Sequence, residues 1–280
     1  MNLYTQLMKH YIKIWTILFI FSATPIIVSN LLQSLQIEDQ SNVLIAKKAS
    51  PILNSTKIEK QLPSTNLDRY KKAKKLLYLT FDDGPNSHTI EILKALKSKN
   101  VQATFFLLKA NIDKHPEILK QIIAAGNSVG CHGVSHRIDI FYSNVNTAIT
   151  EMKTCQRAIY DVTRVNTQLI RVPFGSYPHL THEIKDGLNN AGFIYWDWNI
   201  DSEDWTVEDE HKVFGNIIKQ LQLIEARGKT PTILLHDKKV TAKMLPKLLD
   251  ELLARDYEMK ALSSGIKPVQ FDRFQTPVQK

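Results

Sequence analysis

Apolar and polar positions change period in a regular order along most of the chain. The β-prone run Leu76-Leu77-Tyr78-Leu79-Thr80-Phe81 predicts a buried strand over about 77–81. A helical period follows over 88–98, with Ser87 as N-cap. The same alternation then continues. Strands are predicted near 101–108, 127–132, 168–173, 193–200, 231–236 and 257–262. Helices are predicted near 116–125, 145–161, 181–191, 207–226 and 243–254. Pro116 suits a first helical turn, and Gly126 and Gly192 suit the residues that end helices. Seven strands alternating with six helices imply parallel pairing through crossover helices. The pattern leaves open a closed or nearly closed barrel and an open doubly wound sheet.

Ahead of this block the pattern differs. Ile14 to Leu32 carries no charge over 19 residues, long enough to cross a bilayer, and Lys9 and Lys13 precede it. Lysines on that side place the N-terminus inside and the rest outside. A cleaved signal peptide is the rival reading, but Ser22-Ala23-Thr24 fits its cleavage signal poorly. Both readings export the remainder. The chain divides into an anchor or signal segment (1–33), a basic polar stalk (34–75), a domain (76–265) and a tail without period (266–280).

Five polar clusters fall just after predicted strands: Asp82-Asp83, His132 to His136, Arg171 to Gly175, Asp201 to Trp205, and His236-Asp237. In α/β folds the site lies at the carboxyl ends of the strands. Adjacent acids resist ionising together unless a cation sits between them or one keeps a proton. His132 and His136 stand four apart, so on a helical turn both imidazoles face one way. Two imidazoles and one carboxylate leave a coordination position open for water, as hydrolytic metal sites need. Imidazole suits Zn, Co, Ni or Fe. The second acid is then free as a base, His236 is a candidate acid, Asp201 is placed to orient it, and Arg171 to fix the base.

Composition narrows the partners. The 280 residues are 43% hydrophobic, enough for a full core, and carry a net charge of +8. Residues 1–75 hold 11 Lys/Arg against 4 Asp/Glu, whereas 76–280 hold 25 against 24. The basic excess therefore belongs to the N-terminal arm, and the domain does not read as a nucleic-acid binder. The two cysteines, Cys131 and Cys155, exclude a disulfide-stapled scaffold and read as free and buried.

Thr80-Phe81-Asp82-Asp83-Gly84-Pro85 resembles the first motif of the polysaccharide deacetylases, the NodB-homology family. His132-Gly133-Val134-Ser135-His136 resembles the second, Arg171-Val172-Pro173-Phe174-Gly175 the third, Asp201-Ser202-Glu203-Asp204-Trp205 the fourth, and Leu234-Leu235-His236 the fifth, in the family's order. The resemblance implies a distorted (β/α) barrel of about seven parallel strands. It also implies a metal-dependent hydrolase that deacetylates glycans. It casts Asp82 as base, Asp83, His132 and His136 as ligands of one divalent ion, and Arg171 as the group that positions Asp82. His236 becomes the acid, tuned by Asp201. Pro173, Phe174, Gly175, Trp205 and Leu234 become substrate-binding, with the Phe174 N–H on the oxyanion. Gly133 and Val172 depart from the family's Ser/Thr and Pro; the first loses a hydroxyl that Ser135 can replace. The expected enzyme is a monomer, membrane-anchored or secreted, acting on cell-wall or surface glycan, first of all the N-acetylglucosamine of peptidoglycan. N-acetylmuramic acid, chitooligosaccharide, poly-N-acetylglucosamine and acetylxylan are alternatives. So are a non-catalytic glycan-binding wall protein on the same scaffold and a basic membrane-tethered adaptor.

Overall fold

The computed structural model describes residues 75–271. The anchor, nearly all of the stalk and the last residues of the tail lie outside these, so the readings placed there are untouched by it. Among the described residues no helix is long and apolar enough to cross a membrane.

The central strand is β1 (Lys75–Gly84). Its neighbours are β2 (Thr104–Leu107), β3 (Ser128–Cys131), β4 (Leu169–Ile170), β5 (Ile194–Tyr195), β6 (Ile200–Asp201), β7 (Thr232–His236) and β8 (Tyr257–Met259). The order across the sheet is β5-β4-β3-β2-β1-β7-β6, and β8 pairs with the first residues of β1. Every pairing is parallel. Seven of the eight parallel strands form one path, a half-barrel that matches the distorted barrel implied by the resemblance; the pattern alone leaves an open sheet possible.

A parallel sheet needs cover on both faces, so its strands read as continuous apolar runs. Leu77, Leu79 and Phe81 face the main core, shared with the helices. The alternate residue Tyr78 joins Phe106, Leu169, Trp196 and Leu262 in a second cluster. Side chains alternate along a strand, so Thr80 and Asp82 share the face of Tyr78.

The helices are α1 (Ser87–Ser98), α2 (Lys109–Lys114), α3 (Pro116–Ala124), α4 (Ile138–Phe141), α5 (Val145–Thr163), α6 (His182–Asn190), α7 (Glu210–Ala226) and α8 (Lys239–Ala254). Four details differ from expectation. The N-cap of α1 is Asn86, not Ser87, because Asn86 and Thr89 form a reciprocal capping box. The polar helix α2 buries only Ile112 and so carries no apolar period to betray it. The strand expected over 193–200 is two short strands, β5 and β6, lying at opposite edges of the sheet. Residues 266–271 also belong to the domain: Val269 O accepts from the Asp197 N–H, and the Phe271 N–H donates to Asp197. Cys131 and Cys155 are free and buried, as expected.

Candidate active site

Strand register brings the polar clusters to one edge. Asp82 pairs with His236 across β1 and β7, Leu107 with Cys131, Cys131 with Ile170, and Asp201 with Leu234. Asp82, Asp83, His132, His136 and His236 accordingly line one cavity of 380 Å³. Phe174, Gly175, Asp201, Trp205 and Leu234 complete its wall with Trp198, which the sequence did not single out.

The two acids do not diverge as neighbours on an extended strand would. The β1–β2 register shifts between Asp82 and Gly84, and Asp83 takes φ of 70°. Asp tolerates this left-handed conformation better than most residues. Asp82 Oδ2 and Asp83 Oδ1 both come within 3.6 Å of His132 Nε2. Asp83 Oδ1 is also 3.6 Å from His136 Nε2. The ligand atoms of Asp83, His132 and His136 all lie within 4.8 Å of one another.

These residues fit a cation. Asp83 Oδ1 is buried with no hydrogen-bond partner among the described residues. A buried carboxylate oxygen left so is costly unless a positive group meets it. His132 Nδ1–H donates to Arg171 O at 2.7 Å, which leaves the Nε2 lone pair free toward Asp83. Burial, then the neighbouring His132, holds His136 below its ordinary pKa, against the pull of Asp83 and Asp82, so its ring favours the neutral, ligating form. The His136 ring packs 4.6 Å from Phe174.

Arg171 is fully buried beneath the cavity, with its guanidinium 4.4 Å over the Phe106 ring. It donates to Thr80 Oγ1 at 2.8 Å, Asp82 Oδ1 at 2.9 Å, Trp196 O at 3.1 Å and Asp197 O at 3.0 Å. Asp82 thus has one oxygen engaged and one facing the histidines. Pro173 lies behind the wall, in a turn whose Pro173 and Gly175 carbonyls meet the Tyr142 hydroxyl at 2.7 and 2.9 Å. Phe174 sits in that turn at φ of 62°.

His236 corrects the reading of the fourth motif. Its Nδ1–H donates at 2.7 Å to Asp204, and its backbone N–H donates to the other oxygen of Asp204 at 2.8 Å. Asp204, not Asp201, is therefore the partner of the imidazole. Asp201 lines the same cavity but accepts the Glu203 N–H at 2.9 Å and bonds Trp205; among the described residues it meets His236 through charge, not through a hydrogen bond. Burial, the largest influence on His236, pushes its pKa down; the Asp204 hydrogen bond and charge, with Asp82 and Asp83, outweigh it and leave the ring above its ordinary value. Burial raises Asp201.

Two further buried carboxyls receive no role from the sequence: Asp237, which stands in the fifth polar cluster, and Glu151, which stands in none. Among the described residues Asp237 Oδ1 has no hydrogen-bond partner; burial pushes the group up to about 7, and its Oδ2 accepts from Thr89. Glu151 reaches the histidine loop from α5. A signal for Glu151 existed: it interrupts the buried helical period Ala148, Met152, Cys155, Ile159.

Residues 69–195 match the polysaccharide deacetylase family. YheN of Bacillus subtilis is 34% identical over 84% of this chain and 80% of its own. A peptidoglycan-N-acetylglucosamine deacetylase of Bacillus cereus is 35% identical over 68% of this chain and 70% of its own. The crystal structure of a Bacillus cereus polysaccharide deacetylase superposes with a TM-score of 0.64 at 34% identity, covering 71% of this chain and 97% of that one. The chain belongs to the polysaccharide deacetylase family, enzymes of the hydrolase class.

Proposed function

We propose that this enzyme removes acetyl groups from N-acetylated glycan by metal-assisted hydrolysis, with the N-acetylglucosamine of peptidoglycan as substrate. One observation carries the reading: the Asp83–His132–His136 set, the Arg171-held Asp82 and the Asp204-held His236 converge in a single cavity. Asp83, His132 and His136 would hold one divalent ion, zinc in our reading, with Co, Ni and Fe compatible with the same donors. Such an ion supplies Lewis-acid polarisation of the acetyl carbonyl and acidifies water.

The chain's own groups divide the remaining work. Asp82 takes the attacking water's proton at Oδ2, while Arg171 fixes Oδ1. The Phe174 N–H donates to the developing oxyanion, a contribution of ~2.7–4 kcal/mol for a typical donor. His236, held through Nδ1, delivers a proton from Nε2 to the departing amine. Asp204 keeps that ring charged, the role expected of Asp201. Trp205 and Leu234 wall the acetyl group, and Pro173 and Gly175 shape the turn that presents Phe174.

The substrate assignment draws on the Bacillus cereus relative's name and on the proposed topology. Residues 14–32 would anchor the chain with the stalk and domain outside, close to the wall. The test is mass spectrometry of peptidoglycan fragments, chitooligosaccharides and acetylxylan after incubation with the purified enzyme and Zn²⁺. Loss of acetyl from N-acetylglucosamine supports the reading; loss only from N-acetylmuramic acid or from xylan reassigns the substrate, and no loss from any of them sinks it. Asp82→Asn should retain metal and lose ~10²–10⁴-fold in turnover. Asp83→Asn should lose much of both, and the opposite split would exchange their roles.

A further inference from the structure

His132 and His136 are held by different means. His132 follows β3 directly; its N–H donates to Leu107 O at 2.8 Å, and its ring is tied to Arg171 O. His136 lies beyond a loop, at φ of 49°. Among the described residues no hydrogen bond ties its ring to the backbone. Its placement depends on the loop 133–135.

That loop is folded around one carboxylate. Glu151, only 7% exposed, accepts the Val134 N–H at 2.9 Å and the Ser135 N–H at 3.1 Å on a single oxygen. Its other oxygen accepts the Ser135 hydroxyl at 2.6 Å. Gly133 fits the same arrangement. Its φ is 102°, and a Cβ there would stand 3.2 Å from Glu151 Oε2. Gly133 O in turn accepts the Lys109 N–H at 3.1 Å. A side chain at position 133 would press on the carboxylate; glycine lets the loop close on it.

We propose that Glu151 is a positioning residue for the divalent-ion site: it fixes the loop that carries His136 and thereby sets the distance between His136 Nε2 and Asp83 Oδ1. The inference rests on reading Asp83, His132 and His136 as metal ligands. A ligand that must be ordered as the ion binds lowers affinity by the free energy of ordering it. Partners of metal ligands typically contribute 10–100-fold in metal affinity. Glu151 acts one step further out, through the loop backbone, and the same range sets the expectation.

The test measures Zn²⁺ and Co²⁺ affinity of the purified full chain by chelator competition. The visible spectrum of the Co²⁺ form and thermal unfolding of the metal-free form are recorded beside it. Glu151→Ala leaves two N–H groups and a hydroxyl without their acceptor. It should weaken binding by about 10–100-fold and alter the Co²⁺ spectrum. Glu151→Gln should restore most of the affinity: its one oxygen can take both N–H groups, and the Ser135 hydroxyl can turn to accept from its amide. Ser135→Ala removes only the hydroxyl contact and should fall between the two; it serves if Glu151→Ala does not fold. Wild-type affinity and spectrum in Glu151→Ala, with only a lower melting temperature, would reduce Glu151 to a structural residue and overturn the proposal. His136→Ala is the control. A wild-type chain that binds neither ion, and does not differ from His136→Ala, would overturn the metal-site reading itself.

Discussion

Replacing Asp204 by asparagine tests how the proposed acid is held. One Asp204 oxygen accepts His236 Nδ1–H at 2.7 Å; the other accepts the His236 backbone N–H at 2.8 Å and the Thr241 hydroxyl. An amide cannot reproduce this. With its oxygen toward Nδ1, its NH₂ meets the backbone N–H, donor against donor, and a buried group left unpaired costs about 1–3 kcal/mol. With its oxygen toward the backbone, its NH₂ meets Nδ1, and the charged ring loses a hydrogen bond of about 1.5–3 kcal/mol. Either orientation penalises the imidazolium, so kcat/KM should fall by roughly 10–100-fold near the optimum. The sign of the pH effect follows from His236 standing above its ordinary pKa, with burial opposing and Asp204 supporting the charge. The acid must be protonated to act, so activity is lost as pH rises through that pKa. Removing the Asp204 charge lowers the pKa and moves the basic limb to lower pH. The assay is kcat/KM against pH on one acetylated chitooligosaccharide for wild type, Asp204→Asn and Asp201→Asn. Asp201 forms no hydrogen bond with the ring among the described residues and meets it through charge alone, so its variant should move the limb less. An unmoved basic limb in Asp204→Asn, or a larger shift in Asp201→Asn, would refute the reasoning.

Arg171→Met leaves the buried Asp82 carboxylate unpaired and should destabilise the fold by about 3–5 kcal/mol in urea unfolding; near-normal stability would contradict the pairing. Burial pushes Asp237 up to about 7 from an ordinary 3.8, so the folded state holds a proton that the unfolded chain releases, and its contribution makes stability fall as pH rises between those values. In the metal-free protein Asp237→Asn should flatten that fall, and parallel stability–pH curves for the two proteins would show the carboxyl to be uninvolved. Protease added to intact cells should cut the domain or its stalk if residues 14–32 anchor it facing outward; full protection until lysis would reverse the orientation.

The parts of this enzyme that repeat were legible in the sequence, and those set by a single backbone turn were not. Apolar runs such as Leu76–Phe81 and Thr232–Leu235 mark parallel strands, and the polar residues after them mark the edge where they converge. Strand period taken alone would send Asp82 and Asp83 to opposite faces. The left-handed backbone of Asp83 defeats this, and no periodicity reports one residue's φ. In the fourth motif, Asp201 and Asp204 are equivalent as letters three apart. Only the fold decides that Asp204 lies under His236 while Asp201 caps the turn at Glu203. The run 193–200 reads as one strand because Phe193, Ile194, Tyr195 and Trp196 are all β-prone, whereas the chain there leaves one edge of the sheet for the other.

That crossing joins the two margins of the half-barrel. β5 and β6 are consecutive in sequence yet form opposite margins of the sheet, so residues 196–199 link those margins covalently, and among the described residues no strand pairing joins them. In a barrel sealed by hydrogen bonds, strand number and stagger fix the diameter. Here the span of a short peptide sets the gap, and lengthening it breaks no strand pair. Trp196 and Asp197 are buried, but Trp198 and Asn199 are half-exposed, and Trp198 forms part of the cavity wall. The junction between Trp198 and Asn199 is thus a place where evolution or an engineer can insert residues and widen the mouth for a bulkier or branched polymer, with Asp82 and the histidines left on the continuous side of the sheet.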